Sequence, residues 1–243
     1  MNPDSLLEVP LNGQVLLVTG GSRGIGLAIA RRLGKMGARV AVCGRSASNL
    51  EQCAKTLRDE GIEVLTIAAD VSRAEEAGAL VDRTREALGE VDILVNNAGV
   101  GVFRAAHELS EEEWDRVMDT NLKGVFLMSR AVAPQMIRRR TGHIINISSL
   151  AGKNAFAGGG VYCASKWGLL GFTASMAEDL RGYGIRVSAV CPGSVATEFG
   201  PHTGKDPAKI LQPDDVAHAV AMLATQAPQS FISEIQMRPT QKP

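Results

Sequence analysis

The sequence is poor in aromatic residues, carries no net charge and contains no long apolar run. The 26 Lys and Arg residues balance 26 Asp and Glu residues, which argues against a nucleic-acid-binding protein or a polybasic membrane partner. No apolar stretch approaches the roughly 18 residues of a membrane-spanning helix. Residues 1–10 lack a basic segment followed by an apolar run, so they are predicted to be a flexible tail rather than a signal peptide.

Cysteine and histidine are also scarce, with four residues of each. Cys43, Cys53, Cys163 and Cys191 form no C-x-x-C pair. They are predicted to be small buried thiols, which favours a reducing, cytoplasmic compartment. The histidines are scattered without metal-ligand spacing, so no metal site is predicted.

Strand and helix patterns alternate regularly along the chain. Its 243 residues, 45% of them hydrophobic, suffice for one large core, and no linker or internal repeat divides them. Repeated strand–helix–strand units indicate right-handed βαβ crossovers. We therefore expect a single α/β domain over residues 1–243, with a doubly wound parallel sheet of about seven strands flanked by helices. The predicted strands are residues 14–19, 39–43, 63–68, 91–95, 142–149, 185–190 and 231–237.

A glycine-rich turn joins the first predicted strand to the first predicted helix, residues 27–36. It reads Gly20-Gly21-Ser22-Arg23-Gly24-Ile25-Gly26. Its G-x-x-x-G-x-G spacing is neither the general G-x-G-x-x-G fingerprint nor a Walker loop. Glycines allow a tight turn and a close backbone approach, while a helix N-terminus presents free N–H groups to an anion. The turn therefore predicts a cradle for a pyrophosphate.

The residues after the second predicted strand indicate which dinucleotide would bind. An acidic residue there favours the ribose hydroxyls of NAD, whereas an arginine favours the 2′-phosphate of NADP. No acidic residue is present: Gly44-Arg45-Ser46 follows the strand, and Arg23 lies in the glycine turn. Two guanidinium groups can bind one phosphate, so the sequence predicts NADP(H). The alternative is that both arginines are solvated surface residues.

Tyr162 and Lys166 stand four residues apart in one helical pattern, and Ser149 lies 13 positions upstream. This spacing puts Tyr162 and Lys166 on one helical face. There the ammonium would lower the tyrosine pKa from its usual value near 10. Such a tyrosine can exchange a proton with a carbonyl or alcohol oxygen that Ser149 holds. Alone the motif is weak, because exposed Tyr/Lys pairs on helices are common.

Polar residues also predict helix ends and one loop. Ser72 is predicted to cap a helix that runs to about Leu88, and Ser110 a helix that extends to about Arg139. Asn121 lies in the middle of the second of these helices and needs hydrogen-bond partners if it is buried; the plain alternative to a functional role is a local bond to the backbone. Residues 198–212 are rich in Gly, Pro and Lys without periodicity, and are predicted to form a mobile substrate lid.

Taken in order, these motifs resemble the short-chain dehydrogenase/reductase family over about residues 11–237. The resemblance implies a Rossmann-type fold and an oxidoreductase acting on a small ketone or secondary alcohol. It also implies a homodimer or homotetramer, built on the helices that include Asn121 and Tyr162. The matching motifs are Thr19-Gly20 through Gly24 and Gly26, Asp70, Asn96-Asn97-Ala98-Gly99, Asn121, Ser149, Tyr162 with Lys166, and Pro192-Gly193 with Thr197.

The resemblance further implies a role for each matching residue. Asn121, Ser149, Tyr162 and Lys166 would form a catalytic tetrad. Tyr162 would be the general acid in reduction and the general base in oxidation, and Ser149 would polarise the substrate carbonyl. Lys166 would hold the nicotinamide ribose and lower the pKa of Tyr162, while Asn121 would anchor a water linked to Lys166.

The implied cofactor contacts cover several loops. Asp70 would meet the adenine, Asn97 the adenosine-side ribose region, and Val195 and Thr197 the carboxamide. The full cofactor-binding set is Gly20, Ser22, Arg23, Gly24, Ile25, Gly26, Arg45, Ser46, Asp70, Val71, Asn97, Ala98, Gly99, Tyr162, Lys166, Pro192, Gly193, Val195 and Thr197.

Two features point to different substrate classes. Much of the chain resembles 3-oxoacyl-(acyl-carrier-protein) reductases, and Arg140 falls at a basic position that those proteins use for carrier docking. Their second docking arginine aligns with Tyr183, with Arg181 nearby, and residues 234–240 instead resemble small carbonyl reductases and 3-hydroxy-acid dehydrogenases. The expected function is an NADP(H)-dependent oxidoreductase, with 3-oxoacyl thioester reduction as one alternative. The other alternative is a non-catalytic NADPH-binding sensor or scaffold, which the intact tetrad counts against.

Overall fold

The structure, a computed structural model, describes residues 11–199 and 206–241. The predicted tail, residues 1–10, and the middle of the predicted lid, residues 200–205, lie outside the described part of the chain. Seven strands form one parallel sheet in the order β3-β2-β1-β4-β5-β6-β7, which confirms the predicted doubly wound α/β fold. The strands are β1 Val15–Thr19, β2 Arg39–Gly44, β3 Val64–Ala68, β4 Ile93–Asn96, β5 Gly142–Ile147, β6 Ile185–Pro192 and β7 Glu234–Met237.

Helices cover both faces of the sheet. One face packs against α1, α2 and α7, and the other against α3, α5 and α6. The helices in the described residues are α1 Gly24–Lys35, α2 Ala47–Asp59, α3 Ala74–Leu88, α4 Glu111–Met118, α5 Gly124–Arg139, α6 Gly160–Arg181 and α7 Pro213–Ala224.

The burial of β1 explains why its sequence is an unbroken apolar run. Leu16 and Val18 belong to the core beneath α1, α2 and α7, whereas Val15 and Leu17 belong to the core beneath α3, α5 and α6. A strand covered on both faces needs apolar side chains at every position rather than at alternate ones. The central strands can therefore be recognised in the sequence as short continuous apolar segments.

The helix ends agree with prediction at one site and differ at another. Ser110 accepts the N–H of Glu113 at 3.2 Å and forms a capping box with it, as predicted for this helix start. The prediction for Ser72 is wrong, because its hydroxyl and amide donate instead to the Asp70 carboxylate and α3 begins at Ala74. The helix predicted to extend to about Arg139 is interrupted by a π-helical stretch, Asp119–Lys123, between α4 and α5.

All four cysteines are buried free thiols, as predicted. Within residues 11–199 and 206–241, no helix is both long and apolar enough to cross a lipid bilayer.

Candidate active site

A cleft of about 1820 Å³ opens at the carboxyl ends of the strands. The chain leaves β1 and the neighbouring β4 toward opposite faces of the sheet, and such divergence points are where open α/β sheets bind ligands. The volume exceeds the roughly 300–1,000 Å³ of ordinary small-molecule sites, so a dinucleotide and a substrate both have room. All predicted site residues line the cleft except Gly26 and Asn121, which are buried beside it.

The turn between β1 and α1 depends on its glycines. Gly20 and Gly24 have φ angles of +61° and +54°, in the left-handed region that favours glycine. A Cβ at Gly26 would lie 2.5 Å from Asn97 Nδ2. No side chain caps the start of α1, so its first N–H groups keep their hydrogen-bonding capacity beside the cleft. This uncapped helix start fits a dinucleotide pyrophosphate.

Hydrogen bonds join the glycine turn to the chain after β4. The Thr19 hydroxyl accepts the backbone N–H groups of Asn97 and Ala98, each at 3.0 Å. The Asn97 side-chain amide donates to the carbonyl oxygens of Thr19 and Gly20, also at 3.0 Å. The Asn97 side-chain amide therefore holds the turn in place, whereas the family resemblance implies that Asn97 meets the adenosine-side ribose region. Thr19 stands in the matching glycine motif, but the sequence assigns it no role in the site.

Two arginines that were predicted to bind a phosphate have different surroundings. Arg45 lines the cleft beside Asp70, whose carboxylate accepts the Ser72 hydroxyl at 2.7 Å. Burial alone would raise the pKa of Asp70, but the Ser72 hydrogen bonds and the charge of Arg45 outweigh it and lower the pKa. Arg23 instead forms an ion pair with Glu198, in the segment after β6. A phosphate bound by Arg23 would compete with Glu198 for its guanidinium group.

The loop after β5 and the start of α6 bring Ser149 and Tyr162 together. The Ser149 hydroxyl lies close enough to the Tyr162 side chain to lower its pKa, and Ser149 Oγ accepts the N–H of Ala151 at 3.1 Å. Ser148 is buried, and its hydroxyl lies 3.4 Å from the carbonyl oxygen of Lys166. The serine beside Tyr162 is thus the one that the 13-residue spacing predicts.

Lys166 lies one helical turn after Tyr162 and is also buried. Its Nζ donates to the carbonyl oxygen of Ile147 at 2.8 Å and lies 5.8 Å from the centroid of the Tyr162 ring. Burial lowers the pKa of Lys166 to about 8. Burial also raises the pKa of Tyr162 to about 12, although the Ser149 hydrogen bond partly offsets it. The Tyr162 pKa is therefore raised rather than lowered as predicted, because desolvation outweighs the interactions that favour the phenolate.

Asn121 sits in the π-helical stretch and makes long-range hydrogen bonds. Its Oδ1 accepts the N–H of Val100 at 2.8 Å, while its Nδ2 donates to the Val100 carbonyl at 2.9 Å and to the Ser165 hydroxyl at 3.1 Å. The alternative of a local backbone bond is therefore wrong. A Cβ at Gly99 would lie 3.4 Å from Asn121 Oδ1 and 4.0 Å from Lys166 Nζ. Asn121 thus fixes the loop after β4 against α6, next to Lys166.

The chain after β6 forms the remaining wall. The N–H of Gly193 donates to the Met237 carbonyl at 2.9 Å, and the Ser149 hydroxyl lies 3.5 Å from the Pro192 carbonyl. Val195 forms a parallel bridge with Leu211, so the chain just before the predicted lid is tied to the end of that lid. The Thr197 side chain approaches the glycine turn, since a Cβ at Gly24 would lie 3.4 Å from its Cγ2.

Other cleft residues were not singled out from the sequence. Three phenylalanines, Phe103, Phe156 and Phe199, lie in the loops after β4, β5 and β6, and no spacing rule marks them individually. The C-terminal residues 238–241 also line the cleft, because β7 runs beside β6 toward it. Aromatic residues inside otherwise small and polar loops were the available signal.

Known proteins share this architecture along most of the chain. A family model described as short chain dehydrogenase matches residues 14–208. A 3-oxoacyl-(acyl-carrier-protein) reductase from Synechocystis sp. is 36% identical over 231 residues, which cover 92% of this chain and 94% of that protein. A metagenomic short-chain oxidoreductase crystallised with NADP is 48% identical, with a TM-score of 0.85 over 96% of this chain and 99% of its own. A variant of actinorhodin polyketide ketoreductase crystallised with NADPH is 38% identical, with a TM-score of 0.88 over 93% of this chain and 96% of its own.

Proposed function

The chain belongs to the short-chain dehydrogenase family, and from this we propose that it is an NADP(H)-dependent oxidoreductase acting on a ketone or secondary alcohol. The single observation that carries the proposal is the cluster of Ser149, Tyr162 and Lys166 in the same cleft as the glycine turn. When bound, the nicotinamide supplies or accepts the hydride. The protein supplies binding, orientation and the proton.

Tyr162 is the proposed proton donor and acceptor. With its pKa raised to about 12, Tyr162 holds its proton at neutral pH and is ready to give it to a carbonyl oxygen during reduction. The Ser149 hydroxyl, beside Tyr162, would hold the same oxygen in place. A positive charge on Lys166, 5.8 Å from the ring, would stabilise the phenolate that remains. Lys166 would also hold the nicotinamide ribose, and Asn121 would position the loop beside it.

NADP rather than NAD is proposed because of Arg45. It follows β2 and lies on the cleft, where its charge already acts on Asp70. A guanidinium group there suits a 2′-phosphate, whereas NAD would be favoured by an acidic residue. The NADP and NADPH in the two related crystal structures support the same preference.

Reduction of 3-oxoacyl thioesters is the second candidate function. It is favoured by the 36% identity to the Synechocystis reductase, and an acyl carrier protein would then be a partner. The proposed docking residue, Arg140, donates to the Gly182 carbonyl at 2.9 Å and its guanidinium lies 5.9 Å from the Tyr183 ring centroid. Its neighbour Arg139 pairs with Asp92. Docking of a carrier protein at Arg140 would therefore compete with the contacts of Arg140 to Gly182 and Tyr183.

We also propose that the protein is a homo-oligomer, a dimer or a tetramer, in a cytoplasmic compartment. Phe126 on α5 and Trp167 on α6 are large apolar side chains that are 41% and 54% exposed. A second copy that covered both helices would bury these rings. The four free thiols suit a reducing compartment.

Consumption of NADPH by the purified protein tests the proposed function. An acetoacetyl thioester would be compared with small ketones, aldehydes and 3-oxo esters, with NADH in parallel. We expect NADPH-dependent turnover of small carbonyls. Turnover restricted to the thioester would favour the second candidate. NADPH binding without turnover of any carbonyl would contradict both and support a sensor or scaffold.

A further inference from the structure

Three phenylalanine rings surround the proposed proton donor. Phe103, Phe156 and Phe199, here called the phenylalanine cluster, come from the loops after β4, after β5 and after β6. The Phe103 and Phe199 ring centroids lie 5.5 Å and 5.8 Å from that of Tyr162, and Phe156 lies 6.2 Å from Phe103. The chain has six phenylalanines in all, so half of them converge here from separate loops.

Two glycines make room for these rings. A Cβ at Gly101 would lie 2.8 Å from the Phe103 ring and 3.3 Å from Phe199, and one at Gly159 would lie 2.6 Å from the Phe156 ring. Both glycines have ordinary backbone angles rather than positive φ. Space for an adjacent ring is thus the local reason for a small residue at each position.

The rings are only partly covered by the protein. Phe103 is 38% exposed, Phe156 49% and Phe199 40%, although all three line the cleft. Apolar ring area left in water is unfavourable, and a bound molecule that covers it gains that free energy. Aromatic pairs gain more when a second ring meets them edge-on or offset, at centroid distances of about 4.5–7 Å.

Given the proposed carbonyl reduction, we infer that the substrate carries an aromatic ring or another flat conjugated group next to its carbonyl carbon. The carbonyl oxygen would meet Ser149 and Tyr162, which places its substituents among Phe103, Phe156 and Phe199. The three rings carry no charge, and the acidic residue next to Phe199, Glu198, pairs with Arg23. The cluster therefore recognises shape and π surface rather than a charged group.

A comparison of two ketones of similar size tests this inference. Acetophenone and cyclohexyl methyl ketone differ mainly in whether the ring is flat and aromatic. NADPH oxidation would give kcat/KM for each, with the wild type and with Phe103→Leu and Phe156→Leu, which keep the sites apolar. Phe231→Leu, at an exposed phenylalanine that does not line the cleft, is the matched control, and thermal unfolding would verify that every variant folds.

We expect the wild type to favour acetophenone by about tenfold or more in kcat/KM. Each cluster variant should lose about tenfold toward acetophenone and much less toward the saturated ketone, whereas Phe231→Leu should change neither. Equal wild-type kcat/KM values for the two ketones would overturn the inference, as would equal losses of kcat/KM for both ketones in the cluster variants. The rings would then be a plain apolar cover for Tyr162.

A binding measurement separates the inference from the proposed function. Saturation-transfer NMR would compare binding of the two ketones to the protein mixed with NADP⁺. Preferential binding of acetophenone that Phe156→Leu abolishes, without turnover of any carbonyl, would support the aromatic site and contradict the proposed reaction. Turnover of both ketones without preferential acetophenone binding would support the reaction and contradict the aromatic site.

Discussion

Replacing Lys166 by methionine should stabilise the fold even though Lys166 belongs to the proposed catalytic machinery. Burial lowers its pKa from 10.5 to about 8. At 1.36 kcal/mol per pKa unit, the buried ammonium destabilises the folded state by about 3 kcal/mol at pH 7. Methionine keeps most of the apolar stem but loses the hydrogen bond to the Ile147 carbonyl, at a cost of about 1 kcal/mol. The net gain should be about 2 kcal/mol, or about 4–8 °C in Tm for a chain of this size.

The pH dependence of this gain identifies its cause. The folded-state pKa of Lys166 lies below the unfolded value, so the unfolded chain binds more protons between pH 8 and 10.5. Wild-type stability therefore rises with pH across this window, and the penalty is present in full below it. The advantage of Lys166→Met should be largest at pH 7 and should fall to near zero by about pH 9.5.

Urea unfolding of the wild type and the variant at both pH values measures these differences. Lys55→Met, at an exposed lysine paired with Asp59 on α2, is the matched control and should show no comparable gain. The reasoning is refuted if Lys166→Met is less stable than the wild type at pH 7. A gain of the same size at pH 9.5 would refute it equally, since desolvation of an ammonium requires the pH dependence.

Two further substitutions test the cofactor site, each by calorimetric titration of NADPH and NADH. Gly26→Ala should weaken NADPH binding by about tenfold or more, because its Cβ would lie 2.5 Å from Asn97 Nδ2 and the turn must shift. Gly78→Ala is the control, because a Cβ there meets nothing within 4 Å, and it should bind NADPH as the wild type does. If Gly26→Ala bound NADPH as tightly as Gly78→Ala, the turn would not hold the cofactor. Arg45→Asp should weaken NADPH binding by about 10- to 100-fold and shift preference toward NADH. Arg58→Asp, on α2 and outside the cleft, controls for the charge change, and an unchanged preference in Arg45→Asp would remove Arg45 from the phosphate site.

The sheet could be predicted because its signal is local. A strand buried on both faces must be apolar throughout, as β1 is, and strands of this kind alternate with amphipathic helices along the chain. The π-helical stretch around Asn121 could not be predicted in this way. It depends on hydrogen bonds to Val100 and Ser165, 21 and 44 residues away, which leave no periodic trace in the sequence.

The candidate site shows the same division between local and long-range information. The sequence spacing of Ser149, Tyr162 and Lys166 predicts that they lie together, and all three line one cleft in the structure. The raised pKa of Tyr162 could not be predicted from residue spacing, because it comes from burial, which is a property of the whole fold. The phenylalanine cluster could not be predicted from the sequence either, since its rings come from three loops that carry no regular pattern.

The most direct test of the account is whether Tyr162 supplies the proton. The chain contains one other tyrosine, Tyr183, which lies outside the cleft and is 41% exposed, so Tyr183→Phe is a matched control for Tyr162→Phe. NADPH oxidation with the best carbonyl substrate would be measured for both variants, together with NADPH affinity. We predict that Tyr162→Phe keeps its NADPH affinity but loses about 100-fold or more of kcat, while Tyr183→Phe matches the wild type. A Tyr162→Phe protein that binds NADPH and turns over at the wild-type rate would contradict the account.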